Sequence, residues 1–334
     1  LRVTSMCGLF GMYSFNNDRL AKSVYYGLYS LQHRGQESGG ISVSNGETIK
    51  THLGMGLVPQ VFNDEKLDEL RGTIAVGHVR YSTSGTSHIC NAQPIVTETR
   101  FGPIALAHNG NLVNYEDLRV ELEQQGVHFQ GDSDSEVIAA MIAHADAPSL
   151  EEAILATSKV IQGAYTLIVL SKDKLYGLVD PSGIRPLCLG KTEYTYVLAS
   201  ETCALDIVGA DFIRDVRSGE LVIIDDKGVH TRTWTKDVKD AFCAFEFIYF
   251  ARPDSTILGR NVYEVRTQLG KYLASEHPVT ADIVVPVPDS GGPAAMGFAE
   301  ESGIQVAEGL VKNRYVGRTF IQPLQHIRDF SVKI

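Results

Sequence analysis

The sequence lacks an excess of positive charge, a long apolar run and a secretory signal. Its 334 residues include 30 Lys and Arg against 40 Asp and Glu, which gives a formal net charge of −10. Nucleic-acid binding needs clustered basic side chains, so the acidic balance argues against such a partner. No apolar run approaches the ~20 residues of a membrane span. Residues 1–5 also lack the apolar segment of a signal peptide, so we do not expect them to be one. From the charge balance and the lack of a long apolar run, we expect neither a nucleic-acid nor a membrane partner.

The sequence is also poor in cysteine. The number is odd, and no two cysteines have the CxxC or other tight spacing of a metal site. Such a set does not form a disulfide framework, so a reducing compartment, the cytoplasm, fits best. The cysteines are Cys7, Cys90, Cys188, Cys203 and Cys243.

The chain is long enough for two domains, and its 44% of hydrophobic residues can form a large core. Before residue 235, patterns of apolar residues predict alternating strands and helices. Strands are predicted at 73–82 and 102–112, and the strand at 102–112 ends in an Asn/Gly turn. Helices are predicted at 115–126 and 133–145, and the helix at 133–145 begins with a capping box from Ser133 to Glu136. A hairpin is predicted at 219–234.

The pattern changes near residues 235–245, where we place a domain boundary. Beyond it, residues 262–276 predict a helix, and residues 281–303 predict an apolar strand, a Gly/Pro loop and a second helix. Residues 304–311 predict the next strand. Strand, helix and strand with buried apolar runs indicate a parallel sheet.

Cys7 stands just after the first methionine, in the segment CGLFG. A lone cysteine of this kind is most often a buried core residue. It can instead be a nucleophile if residues 1–6 are removed, because the new α-amine, with a pKa of ~7.7–8.0, can accept the thiol proton. Residues 1–6 are then a leader or propeptide, or sequence upstream of a start at Met6.

Several segments carry a family resemblance. CGLFG together with LQHRGQESGG (31–40), GHVRYST (77–83), LAHNGNL (106–112) and SDSE (133–136) resembles the N-terminal-nucleophile glutamine amidotransferases. Three later segments narrow the resemblance to the amidophosphoribosyltransferases, namely CAFEFIYFARPDS (243–255), VPVPDSGG (285–292) and KNRYVGRTFIQP (312–323). The resemblance runs from Cys7 to Ile334.

The resemblance implies an α+β domain followed by an α/β domain. Residues 7–240 are expected to form a class II glutamine amidotransferase domain, a four-layer αββα sandwich. Residues 241–334 are expected to begin a parallel-sheet phosphoribosyltransferase domain of type I. That domain is expected to be incomplete, because the family's main motif for phosphoribosylpyrophosphate (PRPP) would follow the last residue of the chain.

The implied reaction is the first step of de novo purine biosynthesis. Glutamine is hydrolysed at Cys7, and the ammonia displaces pyrophosphate from PRPP to form 5-phosphoribosylamine. The resemblance assigns Asn109 and Gly110 to the oxyanion and Arg80 to the α-carboxylate of glutamine. It assigns Asp134 to the α-ammonium, and it places Tyr81 and Thr83 beside the substrate.

The resemblance also implies a second site. Ser290 would lie near Mg²⁺ and the pyrophosphate of PRPP, and Lys312, Arg314 and Arg318 would belong to a lid over PRPP. Cys243 matches the first ligand of a 4Fe–4S cluster that some members hold, and the other three ligands would follow Ile334 in the full-length protein. The expected partners are purine nucleotides as feedback inhibitors and further copies of the chain in a dimer or tetramer.

Alternatives stay open for the single motifs and for the whole. Taken alone, HNGN is a turn, SDSE a helix cap and KNRYVGRTF a solvated surface loop. Glucosamine-phosphate synthase and asparagine synthetase share the first motifs but lack FARPDS and KNRYVGRTF. A fragment with glutaminase activity only, or a non-catalytic regulatory homologue, would also retain the fold.

Overall fold

The computed structural model describes residues 6–81, 85–313, 317–319, 321–322 and 325–333. The chain separates into two compact units, Leu1–Phe242 and Cys243–Ile334. Among the described residues, no helix combines the length and the apolarity that crossing a bilayer requires.

The first unit is built on two antiparallel sheets. Its strands are β1 (Gly8–Ser14), β2 (Ser38–Ser44), β3 (Ile49–Met55), β4 (Ile74–Arg80), β5 (Ile95–Thr99), β6 (Gly102–Leu112), β7 (Gly163–Leu170), β8 (Leu175–Val179), β9 (Cys188–Lys191), β10 (Thr195–Ala199), β11 (Asp211–Asp215), β12 (Glu220–Asp225) and β13 (Gly228–Thr233). One sheet has the order β11-β9-β10-β1-β4-β2-β3, and the other has the order β13-β12-β8-β7-β6-β5.

Helices cover the outer face of each sheet. They are α1 (Leu20–Ser30), α2 (Val58–Val61), α3 (Asp64–Glu69), α4 (Tyr115–Gln124), α5 (Asp134–His144), α6 (Leu150–Ser158) and α7 (Cys203–Ile207). The first sheet packs against α1, α2 and α7, and the second sheet packs against α4, α5 and α6.

Alternating side chains produce the layers. In β1, Leu9 joins the apolar cluster between the two sheets, and Phe10 joins the cluster under α1. In β6, Ala105 lies between the sheets, and Leu106 packs under the helices of the second sheet. Successive side chains of a strand point to opposite faces, so both sheets bury apolar residues on each side. The expected four-layer αββα sandwich is confirmed.

One local expectation in the first unit is wrong, and another is met only in part. HNGN is not a turn, because Asn109 pairs with Thr166 and Gly110 pairs with Tyr165 within the β6–β7 ladder. The neighbouring strand satisfies the main chain there, and this outweighs the turn preference of Asn and Gly.

The capping box is formed only in part. The Ser133 hydroxyl accepts a hydrogen bond from the Glu136 N–H at 3.4 Å, as expected. The Glu136 carboxylate, however, accepts from the N–H groups of Gln130 at 2.7 Å and Gly131 at 2.8 Å. Glu136 therefore fixes the segment that leads into α5.

In its described residues, the second unit contains a π-helical turn at Glu246–Phe250, a short hairpin and three α-helices. The hairpin strands and the α-helices are β14 (Thr256–Ile257), β15 (Arg260–Asn261), α8 (Val262–Glu276), α9 (Gly292–Ser302) and α10 (Gln325–Lys333). Helices α8 and α9 pack with their main chains in close approach, because a Cβ atom on Gly270 would lie 1.9 Å from the Ala294 carbonyl oxygen. The buried Arg266 guanidinium donates to the Phe247 and Ala251 carbonyls, which ties the segment before the hairpin to α8.

The parallel strands expected at the start of segment 281–303 and at 304–311 are much shorter than predicted. The two segments meet in the parallel bridge of Val284 with Val306, where the Val284 N–H donates to the Gln305 carbonyl at 2.8 Å. Val287 and Val311 remain exposed. Parallel strands need cover on both faces, and in the described part of the chain no further strand flanks this bridge.

Candidate active site

Cys7 lies immediately before β1 and is buried, with 4% of its surface exposed. Its main-chain N–H donates to the side-chain Oδ1 of Asn109 at 3.0 Å. Its carbonyl accepts from the Nε of Arg34 at 3.0 Å. Its thiol lies 3.8 Å from the carbonyl oxygen of Tyr81, just after β4. The main chain of Cys7 is therefore held from both sides, with the thiol directed to the end of β4.

Asn109 presents a buried donor at this site. Its side chain is inaccessible to solvent, and its Oδ1 is occupied by the N–H of Cys7. Its Nδ2 has no hydrogen-bond partner among the described residues. A buried, unsatisfied donor costs about 1–3 kcal/mol, and the oxyanion of an acyl-transfer intermediate is the kind of group that such a donor serves.

Gly110 follows Asn109 where β7 passes very close. A Cβ atom at this position would lie 2.0 Å from the Ala164 carbonyl oxygen and 2.7 Å from the Nε2 of His108. No side chain fits there, so the residue after Asn109 must be glycine. This explains the NG pair within a strand, where the sequence suggested a turn.

Asp134 is the first residue of α5 and is buried beside β6. One carboxylate oxygen accepts from the Leu112 N–H at 3.0 Å, and the other lies 3.8 Å from the Nδ1 of His108. The positive end of a helix dipole favours an anion at this position. The site therefore contains an oriented carboxylate that can bind a cationic group.

Arg80, at the end of β4, forms a buried ion pair with Glu37. The same Nη1 of Arg80 donates to the Thr86 carbonyl at 3.1 Å. Glu37 directly precedes Ser38, which pairs with Arg80 in the β2–β4 ladder. The structure thus brings Cys7, Arg80, Tyr81, Asn109, Gly110 and Asp134 together at neighbouring strand and helix ends of the first unit.

The thiol is held in its protonated form. Burial raises the pKa of Cys7 to about 11, and the hydrogen bond to the Tyr81 carbonyl and the charge of Arg80 lower it by less. Burial also lowers the pKa of His78 to about 3 and lowers the pKa of His108. These imidazoles are therefore weak bases at neutral pH, and neither suits the deprotonation of the thiol.

Sequence reasoning missed several residues that build the site. Arg34 and Glu37 lie in the quoted segment LQHRGQESGG, so the motif contained them without indicating their roles. His108 precedes Asn109, and its Nδ1 lies 2.9 Å from the Ser135 hydroxyl. Glu201 contacts Arg34 but follows β10, in a segment without a recognisable motif.

The second unit holds the remaining site residues, apart from those that fall outside the described ranges. Ser290 lies just before α9. The Lys312 ammonium donates to the carboxylate of the neighbouring Asp289. Arg318 donates to the Tyr249 carbonyl at 2.9 Å, and its guanidinium lies 4.7 Å from the centre of the Tyr249 ring. Thr83 and Arg314 lie outside the described residues.

The metal-binding expectations find little support in the side chains. Among the described residues, no group of three or more His, Cys, Asp or Glu side chains could hold a metal ion. Cys243 is partly exposed and is the one cysteine of residues 243–334, because the other four occur in the first unit. A 4Fe–4S cluster takes four thiolates, and Cys243 supplies one, so a cluster in the full-length protein stays a prediction.

Comparison with known proteins defines the class of the first unit. A glutamine amidotransferase domain model matches residues 78–206. With the four-layer sandwich, this match makes the first unit a glutamine amidotransferase domain of the N-terminal-nucleophile class.

Full-length relatives define the family. The amidophosphoribosyltransferase of Synechococcus elongatus is 50% identical, over 100% of this chain and 69% of that protein. The amidophosphoribosyltransferase of Synechocystis is 51% identical, over 98% of this chain and 67% of that protein. The structure of glutamine PRPP amidotransferase from B. subtilis, complexed with ADP and GMP, matches with a TM-score of 0.89 and 45% identity, over 97% of this chain and 70% of that one.

The chain therefore belongs to the amidophosphoribosyltransferase family. Its function is the first step of purine biosynthesis, and it is a glycosyltransferase with glutamine amidotransferase activity. The chain spans about two thirds of the length of the curated relatives that it matches. These relatives decide against the two sister enzymes, glucosamine-phosphate synthase and asparagine synthetase.

Proposed function

We propose that Cys7 is the nucleophile that hydrolyses glutamine, within a glutamine amidotransferase domain of residues 7–240, and that residues 241–334 begin a phosphoribosyltransferase domain. One observation carries the first half. The Cys7 N–H donates a hydrogen bond to Oδ1 of Asn109, while Nδ2 of Asn109 is a buried donor without a partner among the described residues. A nucleophile and an oxyanion donor are thus coupled through one side chain.

The chemistry follows from these groups. The Cys7 thiolate attacks the side-chain amide carbon of glutamine, and the carbonyl oxygen becomes an oxyanion bound by Nδ2 of Asn109 and the N–H of Gly110. The intermediate collapses to a thioester and expels ammonia, which takes the proton that came from the thiol. Water then attacks the thioester, releases glutamate and restores the thiol.

The proton acceptor for this step would be the α-amine of Cys7 itself. In the chain as described, Met6 is buried, and the nitrogen of Cys7 is a peptide N–H that donates to Asn109. Removal of residues 1–6 would leave an amine at this place, with Oδ1 of Asn109 as its acceptor. Because burial raises the pKa of the Cys7 thiol to about 11, the thiol needs such a base at neutral pH.

The two charges of glutamine account for two further residues. Arg80 would bind the α-carboxylate, and Asp134 would bind the α-ammonium. Both side chains are buried and fixed, Arg80 by Glu37 and Asp134 by the Leu112 N–H. Tyr81 would contribute through its main-chain carbonyl, which already contacts the thiol, and Thr83 would complete the pocket.

The ammonia would then displace pyrophosphate from C1 of PRPP and form 5-phosphoribosylamine. Ser290, Lys312, Arg314 and Arg318 would bind PRPP, since the N–H groups at the start of α9 and the basic side chains suit phosphates.

Mg²⁺ fits this second site only together with the substrate. Ser290 and Asp289 offer one hydroxyl and one carboxylate, and Mg²⁺ commonly binds through few protein ligands plus substrate phosphates. When bound, it would neutralise charge on the departing pyrophosphate. The relative complexed with ADP and GMP supports purine nucleotides as further ligands. A cytoplasmic location and a dimer or tetramer complete the proposal.

The test begins with the intact mass and the N-terminal sequence of the purified chain, followed by glutamate release from glutamine. We expect the active form to begin at Cys7, and Cys7→Ala to lose at least about 10³-fold in kcat. The matched control is Cys90→Ser, which changes a partly exposed thiol of the first unit and should keep the wild-type rate. Equal, negligible activity of wild type and Cys7→Ala would instead favour the non-catalytic homologue.

A further inference from the structure

The segment after β10 runs along the start of β1. Ser200 contacts Leu9 twice, since its N–H donates to the Leu9 carbonyl at 3.0 Å and its hydroxyl accepts from the Leu9 N–H at 2.9 Å. The next residue, Glu201, is buried. Glu201 therefore brings an acidic side chain into the core beside the start of β1, the strand that follows Cys7.

Arg34 links Glu201 to Cys7 by hydrogen bonds to both residues. The Arg34 guanidinium donates from Nη1 to Glu201 at 2.5 Å and from Nε to the Cys7 carbonyl at 3.0 Å. The side chains of both Arg34 and Glu201 are wholly inaccessible to solvent. His33 lies 2.8 Å from the same carboxylate oxygen, and the Cys203 thiol lies 3.7 Å from the other. Glu201 is thus the anion of a buried network that ends on the main chain of Cys7.

This arrangement matters because of the position of Cys7 in the chain. A nucleophile at the N-terminus has a peptide bond on one side only, so non-covalent contacts must fix it. A guanidinium donates in a rigid, planar arrangement, and a carboxylate that holds one edge of it orients the other donors. A buried guanidinium without its anion is unstable, so Arg34 depends on Glu201 for its position.

We propose that Glu201 is a positioning residue of the glutaminase reaction, which acts through Arg34 on the carbonyl of Cys7 and so sets the thiol against Asn109. The proposal rests on Cys7 being the nucleophile, as proposed above. Since the network ends on the main chain of Cys7, its loss should misplace the nucleophile and lower kcat. KM for glutamine, which depends on Arg80 and Asp134, should change little.

The test compares Glu201→Gln with Glu220→Gln in the complete chain. Glu220 is a matched control, because it is also buried and accepts from Arg214 at 2.7 and 2.8 Å. Its partner lies in β11, which two strands separate from β1. We expect Glu201→Gln to lower kcat by about 10- to 100-fold with KM within about 2-fold, and Glu220→Gln to keep both within about 2-fold.

A second variant covers the case in which Glu201→Gln does not fold. The double variant Arg34→Gln with Glu201→Gln removes both buried charges together, and we expect it to fold and to show the same loss in kcat. The proposal is overturned if the folded variant matches Glu220→Gln in kcat, or if KM rises in step with the loss.

A readout without substrate separates this proposal from the proposed function. If wild type releases no glutamate, the proposed function fails, and amide hydrogen exchange across residues 7–12 then decides the positioning. Faster exchange there in the Glu201→Gln protein than in the Glu220→Gln protein, by about 10-fold, supports the network. Equal exchange overturns it.

Discussion

The glutamine site in the first unit and the proposed PRPP residues in the second unit differ in how firmly the protein holds them. Asn109 is inaccessible to solvent, and Cys7 and Asp134 are each 4% exposed. In the second unit, the Lys312 side chain is 33% exposed and its partner Asp289 is 70% exposed. Hydrolysis of an amide needs donors that are fixed before the charge develops, and in the proposed mechanism Asn109 of the first unit is such a donor.

The difference in burial fits the two proposed substrates. Glutamine brings one charge of each sign and a neutral amide, so the protein must create the electrostatic environment of the reaction. PRPP carries many negative charges and is proposed to bind with Mg²⁺, so flexible basic side chains and helix N–H groups would serve it. The comparison predicts large effects for substitutions in the first unit and small effects on glutamine hydrolysis for those in the second.

The largest effect is expected at Asn109. Asn109→Ala removes the buried Nδ2 donor, and we expect kcat for glutamine hydrolysis to fall by about 10²- to 10³-fold with little change in KM. Asn109→Asp, which keeps the shape and replaces the donor by an oxygen, should lose at least as much. Steady-state kinetics of glutamate release provide the measurement. Asn114→Ala, which removes two hydrogen bonds next to α4, is the control and should keep its kcat.

If Asn109→Ala raised KM for glutamine instead of lowering kcat, the predicted large effect on kcat in the first unit would be wrong. It would mean that Asn109 binds the ground-state amide and that the oxyanion is stabilised elsewhere. A kcat within about 10-fold of wild type in Asn109→Asp would argue the same way, because the carboxylate cannot donate to an oxyanion at neutral pH.

A smaller effect is expected at Asp134. Asp134→Asn keeps an acceptor for the Leu112 N–H but removes the negative charge proposed to bind the α-ammonium. We expect KM for glutamine to rise by about 10- to 100-fold, which corresponds to about 1.4–2.7 kcal/mol, with kcat within a few-fold. Asp146→Asn, which changes an exposed ion pair with Arg100, serves as control. An unchanged KM would remove Asp134 from the substrate site.

The buried histidines between the two sheets give the first unit a pH dependence. The Nε2 of His78 in β4 donates to the His108 carbonyl in β6 at 3.1 Å and so links the sheets. Burial lowers the pKa of His78 from 6.5 to about 3. Below pH 6.5 the unfolded chain takes up a proton that the folded chain does not, so the free energy of unfolding should fall as the pH falls towards 3.

Urea unfolding between pH 4 and 7 measures this slope. One such histidine contributes at most about 1.4 kcal/mol per pH unit, and His108, whose pKa is also lowered by burial, adds to it. His78→Gln keeps a donor for the His108 carbonyl and should flatten the slope. His128→Gln, at an exposed position, should leave it unchanged. Identical slopes in all three proteins would show that other groups control the acid sensitivity.

Periodicity in the sequence predicts some strands and helices of the sandwich, whereas its four layers and the central site residues are implied by the family resemblance. Strands and helices with clear periodicity were found, because burial on one face imposes that periodicity directly. Cys7, Asn109 and Asp134 were found because each lies in a short segment that resembles the family. The roles proposed for them are consistent with their geometry, and the kinetics described above test those roles.

Other features depend on contacts that the sequence does not show. The strand character of Asn109 and Gly110 comes from pairing with β7, more than fifty residues later, and it outweighs the local turn preference. Glu201 contacts Arg34 across 167 positions of sequence, with no motif around it. In the second unit, the apolar runs predicted longer strands than formed, because a strand requires partners on its edges as well as apolar residues.

The smallest effect on glutamine hydrolysis is expected at Lys312. The contacts described for the glutamine site all lie within Leu1–Phe242, whereas Lys312 pairs with Asp289 in the second unit. Lys312→Met should therefore keep kcat and KM for glutamine within about 2-fold. It should weaken the binding of PRPP with Mg²⁺, measured by calorimetry, by about 10-fold, the loss of one charged contact to phosphate.

The control is Lys271→Met, which breaks a surface ion pair between α8 and α9 and should change neither quantity. Weaker PRPP binding with unchanged glutamine kinetics would show that the glutamine site and the PRPP site form independently, each from the contacts within its own unit. A fall in glutamine kcat in Lys312→Met alone would break the comparison. It would mean that glutamine hydrolysis depends on Lys312, an exposed residue of the second unit. The burial of Cys7 and Asn109 would then not be sufficient for an active glutamine site.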